Sequence, residues 1–185
     1  MRKLYQYGGI AASIVLIAFG IGAIYMGIDG RGYVRDNLAA EKIIGTEDST
    51  IPGQLVDTGS EAQAFAKVMR THTLESTAGK TYSEMGRFLT ADGKDTNDEN
   101  AAAKNDAGKP VENGLRNLWV TETALTTALN TAYFAEQVAL FATIMGVAML
   151  LAGLGFGVLT LRVLIPATKR EGSPAQAGPA AVASA

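Results

Sequence analysis

The chain has 185 residues, of which 18% are charged and 48% are apolar, with 16 basic and 18 acidic side chains. This length suits one compact domain with extensions, and the nearly balanced charge argues against a nucleic-acid-binding protein. The chain has no cysteine and a single histidine, His72. The composition therefore excludes disulfides, thiolate catalysis and any site that needs two imidazoles from one chain.

Two long apolar runs dominate the chain. Residues 8–28 and residues 138–161 form uncharged runs of 21 and 24 residues. Because an α-helix rises 1.5 Å per residue, about 20 residues cross the roughly 30 Å hydrocarbon core of a bilayer. The first run is longer than the apolar region of a signal peptide and ends in YMGID, without a small-residue cleavage site. We therefore predict two transmembrane helices, the first of them a retained anchor.

The distribution of basic residues predicts the orientation in the membrane. Residues 29–136 hold 11 basic and 17 acidic side chains, whereas the short flanking segments are positive. Cytoplasmic segments next to transmembrane helices are enriched in Lys and Arg. We predict a plasma-membrane protein with a cytoplasmic N-terminus (residues 1–7), an extracytoplasmic domain (29–137) and a cytoplasmic tail (162–185). The basic residues that carry this prediction are Arg2, Lys3, Arg162, Lys169 and Arg170.

The first half of the middle segment is predicted to be mainly helical. Residues 34–44 have apolar side chains at helical spacing and can continue the first span outward. Residues 45–60 are rich in turn formers and are predicted to be a loop. Ser60 and Gln63 match a capping box, which predicts a helix that begins there and ends near Thr77.

The second half contains fewer apolar residues. Residues 82–89 resemble a short helix, and residues 90–114 are nearly all turn formers and charges, which predicts a mobile loop. A helical pattern resumes at Leu115 and continues into the second span. Past Pro166 the tail has no apolar periodicity and is predicted to be disordered. The predicted fold is an all-α membrane protein with two transmembrane helices and a small helical extracytoplasmic domain between them.

Small residues recur along both predicted spans at intervals of three and four. Such residues let helix backbones approach closely in lipid, where no hydrophobic force drives helices together. A contact within one chain and a contact between several chains are both compatible with the pattern. The candidate packing residues are Gly20, Ala23, Gly27, Gly146, Gly153 and Gly157.

Three blocks of sequence, residues 1–31, 57–90 and 117–161, resemble an uncharacterised actinobacterial family of small two-span membrane proteins. Some members of that family are labelled aromatic-ring-opening dioxygenases. Ring-opening oxygenases of the non-haem iron type need two histidines and one carboxylate. The residues here do not support the label, because His72 is the only imidazole in the chain.

His72 has three interpretations. Glu75 and Ser76 follow it by three and four residues and share its helical face. His72 could be a base for Ser76, a pH sensor whose charge Glu75 supports, or a partly buried structural residue. No oxyanion donor is identifiable, so a catalytic role is the weakest of the three.

The acidic loop loosely resembles a calcium-binding loop. Asp95, Asn97 and Glu99 alternate along the chain, but Asn100 replaces the glycine that such a loop requires, and Asp106 replaces the bidentate glutamate. A solvated loop is the simpler interpretation. We predict no metal and no cofactor.

Two functions remain open. The first is an accessory protein that presents its extracytoplasmic domain to another membrane protein or to a second copy of itself. The alternative is a membrane-anchored sensor or small-ligand-binding module that acts through a partner chain. The sequence contains no recognisable catalytic constellation, so an enzyme is not predicted. The expected partners are the lipid bilayer and either another membrane protein or a second copy of this chain.

Overall fold

The computed structural model describes residues 2–164, with side chains from residue 5 to residue 162. Three helices dominate: α1 (Arg2–Ala40), α2 (Gly59–Ser76) and α3 (Gly114–Leu159). The smaller elements are a 3₁₀ turn (Tyr82–Glu84), strands β1 (Phe88–Leu89) and β2 (Asp95–Thr96), and a π-helical turn (Thr160–Leu164). The predicted disordered tail lies outside the described residues from position 165 onward.

The mostly helical fold predicted from the sequence is confirmed. Two helices, Tyr5–Ala40 and Gly114–Arg162, are long and apolar enough to cross a membrane. The chain divides into two units. In the described part of the chain, the first unit contains residues 2–28 and 141–164, and the second unit contains residues 29–140.

The first unit is an antiparallel pair of helical segments. Gly20 of α1 lies against Gly146 of α3, whereas Ser13, nearer the start of α1, lies against Gly157, nearer the end of α3. The Ser13 hydroxyl also donates a hydrogen bond of 2.7 Å to the carbonyl oxygen of Gly153. Close backbone approach and this buried hydrogen bond thus hold the two segments together.

The second unit has its own apolar core, in which α2 packs against the C-terminal part of α1 and the N-terminal part of α3. The loop between α1 and α2 contributes Val56, which is completely buried. Burial of such side chains is the main favourable contribution to folding. The core consists of Leu38, Val56, Ala62, Ala66 and Leu129, with Val34, Ile43, Ile51, Phe65, Met69 and Ala132 packed around it.

Helix α2 begins two residues from the predicted position, because the capping box is formed by Thr58 and Glu61. The Thr58 hydroxyl accepts from the Glu61 N–H at 3.3 Å, and the Glu61 carboxylate accepts from the Thr58 N–H at 2.9 Å. Burial alone raises the pKa of Glu61, but these hydrogen bonds outweigh burial and lower it. Thr58 and Glu61 match the same motif as Ser60 and Gln63, and a carboxylate accepts hydrogen bonds more strongly than an amide.

The predicted helix over residues 82–89 is wrong. The chain makes one 3₁₀ turn and then enters β1, which pairs with β2 in an antiparallel register. A Cβ atom at Gly86 would overlap the backbone of Thr96, so this approach requires glycine. The predicted loop over residues 90–114 contains β2 and backbone hydrogen bonds that join Leu89 to both Ala103 and Val111 at 2.9 Å.

The indole of Trp119, on α3, contacts the segment between α2 and α3. The side chain is buried, as expected for a core residue, and its Nε1 donates to the carbonyl oxygen of Lys80 at 3.0 Å. The guanidinium of Arg70 lies 5.2 Å from the centre of the indole, within the range of a cation–π interaction. Trp119 therefore links α2, α3 and the segment between them.

Candidate functional site

An apolar groove of about 740 Å³ lies on the second unit. Its volume falls within the range of small-molecule sites, which is roughly 300–1,000 Å³. Only one carboxylate, that of Glu41, is among its lining groups. The groove is lined by Tyr33, Val34, Asn37, Leu38, Glu41, Ile43, Phe65, Met69, Leu125, Ala128, Leu129, Thr131, Ala132 and Ala135.

The shape of this groove follows from three helices. Tyr33 and Asn37 lie on α1, and Glu41 follows its last residue. Successive members of this set are four residues apart, so the three lie along one side of the helix. The lining residues of α3 extend over positions 125–135, which is about 15 Å of helix. Apolar walls without a nucleophile–base pair can bind an apolar group, but they offer little for acid–base or nucleophilic chemistry.

A charge cluster is the second feature of this unit. The buried carboxylate of Glu136 accepts hydrogen bonds at its Oε1 from the Nε of Arg31 at 2.7 Å and the Nε of Arg35 at 3.0 Å. Its Oε2 accepts from the N–H of Gly59 at 2.6 Å. One acid thus joins α1, α3 and the first residue of α2. A pocket of about 270 Å³ adjoins the cluster.

This cluster was not predicted as a site from the sequence. Its members are up to 105 positions apart along the chain, so no local motif contains them. Two signals were available. Arg31 and Arg35 occupy one helical face at a spacing of four residues, and Glu136 is an acid only two residues before the second apolar run.

The imidazole of His72 pairs with Asp48, a partner that was not predicted from the sequence. Nε2 of His72 lies 2.5 Å from Oδ2 of Asp48, and both side chains are about half exposed. The neighbouring Thr46 side chain and then the His72 imidazole lower the pKa of Asp48. The contact joins α2 to the preceding loop.

The two residues proposed to act with His72 are placed differently. The Ser76 hydroxyl donates to the backbone carbonyl oxygen of His72 at 2.8 Å, so it is not paired with the imidazole. Within the part of the chain that the structure describes, the Glu75 carboxylate forms no hydrogen bond or ion pair. A role of His72 and Glu75 in pH sensing stays a prediction.

Asp95 and Asn97 of the calcium-like loop bind the segment that precedes the loop. Asp95 accepts from the Gly86 N–H at 2.6 Å and pairs with the Lys80 ammonium at 3.2 Å, and these contacts lower its pKa. The Asn97 side chain accepts from the Arg87 N–H at 3.1 Å. Among residues 2–164, no three His, Cys, Asp or Glu side chains are grouped to hold a metal ion.

Four of the six small residues selected in the sequence, Gly20, Gly146, Gly153 and Gly157, lie where the helices of the first unit approach each other closely. A Cβ atom at Gly20 would lie 2.8 Å from the carbonyl oxygen of Gly146, and a Cβ atom at Gly153 would lie 2.9 Å from the nitrogen of Ile17. Gly157 lies against the hydroxyl of Ser13. Gly27 is buried and Ala23 is partly buried.

Thr160, at the end of the second apolar run, is a polar residue of this helix contact that was not predicted from the sequence, whereas Ser13 belongs to the stripe of small residues in the first run. Ser13 and Thr160 are both buried, and Thr160 lies against Gly9. The available signal for Thr160 was its position, because a hydroxyl residue at the end of an apolar run needs a partner for its polar group.

No protein-family model, curated protein or solved structure matches this chain. The resemblance to a two-span actinobacterial family therefore stays a prediction, and inferences about function depend on the features of the two units themselves.

Proposed function

We propose that this chain is an integral membrane protein that crosses the plasma membrane twice, at residues 8–28 and 138–161, with both termini in the cytoplasm. Many large apolar side chains of the first unit are exposed in the protein itself, as expected for a surface in contact with lipid. They include Ile14, Val15, Phe19, Ile21, Tyr25, Met26, Phe141, Ile144, Val147, Leu151, Leu154, Phe156 and Val158.

Cysteine labelling tests this topology directly, because the chain has no cysteine of its own. Lys104→Cys places a thiol in the segment between α2 and α3, and Ser173→Cys places one in the C-terminal tail. In intact cells, a membrane-impermeant thiol reagent is expected to label Cys at position 104 and not at position 173. Permeabilised cells should show labelling of both. The opposite pattern in intact cells would refute the proposed orientation.

We infer that the second unit is an interaction domain whose apolar groove binds one helix of a partner membrane protein. The groove itself is the observation that carries this inference. Its walls extend along α1 and α3, so an occupant that follows them is an elongated apolar segment about three helical turns long. Ala128, Ala132 and Ala135 allow close approach of a helix backbone.

Charge complementarity indicates the chemistry of that partner helix. Glu41 is the only charged residue in the groove lining, so the partner is expected to carry a Lys or Arg near the end of its apolar face. Recognition of this kind is the helix-in-groove mode, in which an apolar face is buried in a groove and charge determines orientation.

Site-specific photo-crosslinking in native membranes tests this function. A benzophenone attached to Leu125→Cys would lie in the groove, whereas one attached to Val120→Cys would lie on an exposed part of α3 outside it. We expect a discrete protein adduct from position 125 and none from position 120. The adduct should disappear with Ala128→Trp, which fills the groove, but persist with Ala124→Trp. Glu41→Lys should reduce its yield by about tenfold.

Each other outcome has a defined meaning. An adduct made of two copies of this chain would show that the occupant of the groove is a second copy and not a different membrane protein. A third outcome would favour the sensor alternative: no protein adduct forms, and an apolar compound co-purifies with the native chain but not with Ala128→Trp. The groove volume of about 740 Å³ also suits a small ligand. Equal adducts from both positions, or no effect of Ala128→Trp, would refute binding in the groove.

A further inference from the structure

The two arginines of the charge cluster share one carboxylate and retain most of their hydrogen-bonding capacity. Arg31 and Arg35 both bind Glu136 through Nε, and both donate to the same oxygen, Oε1. Arginine normally binds an oxyanion side-on through two parallel N–H groups. Within the described residues, the Nη nitrogens of both arginines form no hydrogen bond. The cluster therefore has a net charge of about +1, and its four Nη nitrogens have no acceptor among the described residues.

The pocket next to the cluster contributes further donors. Ser60 is the second residue of α2, and within the described part of the chain neither its N–H nor its hydroxyl donates a hydrogen bond to protein. The positive end of the helix dipole lies at this helix terminus and favours an anion. The pocket of about 270 Å³ is lined by Arg31, Arg35, Thr58, Ser60, Glu136, Gln137 and Leu140.

We propose that Arg31, Arg35 and Ser60 form a binding site for a phosphate group. The Nη groups of the two arginines would contact two oxygens of the phosphate, and the N–H and hydroxyl of Ser60 would donate to a third. Glu136 is a positioning residue in this site, because it holds both guanidinium groups against the start of α2. A carboxylate ligand would present fewer oxygens to the same donors, so a phosphate uses the arrangement more fully.

The position of these residues in the sequence favours the phosphate of a phospholipid. Arg31 follows the first predicted span by three residues, and Glu136 precedes the second by two. If the membrane topology proposed above holds, both lie at the level of the lipid headgroups. A soluble phosphate ester offers the same chemistry without that requirement, so failure of the proposed topology would leave the phosphate site itself standing.

Two probes distinguish the sources, both applied to the full chain purified in an uncharged maltoside detergent. Native mass spectrometry measures retention of phosphatidylglycerol, with a phosphate-free glycosyl diacylglycerol of the same acyl chains as the reference lipid. Calorimetry measures binding of glycerol 3-phosphate. We expect preferential retention of phosphatidylglycerol, and affinity about tenfold lower in Arg31→Gln and in Arg35→Gln. Arg87→Gln removes an equal charge outside the pocket and should leave affinity unchanged.

A second variant protects the test against misfolding. Each single arginine variant leaves Glu136 paired with the other arginine, and the emission of the buried Trp119 reports whether the second unit is folded. Ser60→Asp places an acid in the first turn of α2, where it favours the helix, yet it should repel phosphate and lower affinity by at least about tenfold. Binding of the lipid alone would assign a headgroup, and binding of both probes a phosphate group in general. Equal affinity in the native chain and all variants, or equal retention of the glycolipid, would overturn the proposal.

Discussion

Glu136→Ala is expected to lower the free energy of unfolding of the second unit by about 2–3 kcal/mol. The substitution removes the acceptor of the buried Gly59 N–H, and a buried unsatisfied donor costs about 1–3 kcal/mol. It also leaves Arg31 and Arg35 without their shared counter-ion. That loss is smaller than for a fully buried pair, because the two side chains are 46% and 42% exposed and can turn toward water.

Urea titration of the full chain in detergent, followed by the fluorescence of Trp119, measures this effect. Trp119 is the only tryptophan in the chain and is buried in the second unit. Glu75→Ala is the matched control, since it removes the same charge from a helix where the carboxylate is exposed, and it should change stability by less than about 0.5 kcal/mol. Arg31→Ala should cost less than Glu136→Ala because Arg35 still pairs with the acid. Equal losses for Glu136→Ala and Glu75→Ala would show that the cluster does not stabilise this unit.

Gly146→Val is expected to destabilise the helix pair of the first unit by about 2–3 kcal/mol. A Cβ atom at position 146 would lie 2.7 Å from the carbonyl oxygen of Gly20 and 2.8 Å from the nitrogen of Ile24. Both atoms belong to the backbone of α1, so a side-chain rotation cannot relieve the overlap and the two helices must separate.

Gly155→Val provides the control for this substitution. Gly155 lies on the same helix and in the same apolar run, but a Cβ atom there meets nothing within 4 Å. Unfolding of the full chain by sodium dodecyl sulfate, followed by circular dichroism, should show a loss for Gly146→Val and little change for Gly155→Val. If both variants lose the same stability, the cost comes from the valine itself and not from helix contact.

A disulfide can show that this contact lies within one chain. The Cβ atom built at Gly157 is 3.9 Å from the Cβ of Ser13, which is within the range of natural disulfides. Ser13→Cys with Gly157→Cys is therefore expected to oxidise to a monomeric product, and adding Gly146→Val should lower its yield. A dimeric product would show instead that the small residues join different chains.

Most of the helical architecture could be predicted from the sequence because it depends on local pattern. The lengths of the apolar runs indicated both long helices, and the helix predicted from Leu115 begins at Gly114 and continues to Leu159. The intervals between Gly146, Gly153 and Gly157 indicated a face that contacts another helix. Each of these inferences needs only residues close together in the chain, since a helix repeats every 3.6 residues.

The local start of α2 was predicted less accurately. Two overlapping segments, one from Thr58 to Glu61 and one from Ser60 to Gln63, match the same capping motif. The choice between them depends on the strength of the carboxylate as an acceptor and on the contact of Gly59 with Glu136. That contact joins residues 77 positions apart, so a local sequence pattern cannot predict it.

By itself, the sequence determined the class of fold, the two apolar helices and the residues able to bring them into contact, because burial and helix geometry follow from composition and spacing. Only the tertiary structure decided the pairing of β1 with β2, the groove formed by three helices and the meeting of Arg31, Arg35 and Glu136. These features arise from groups distant in the chain. Which distant groups meet depends on how the whole unit packs and on the need of each buried polar group for a partner.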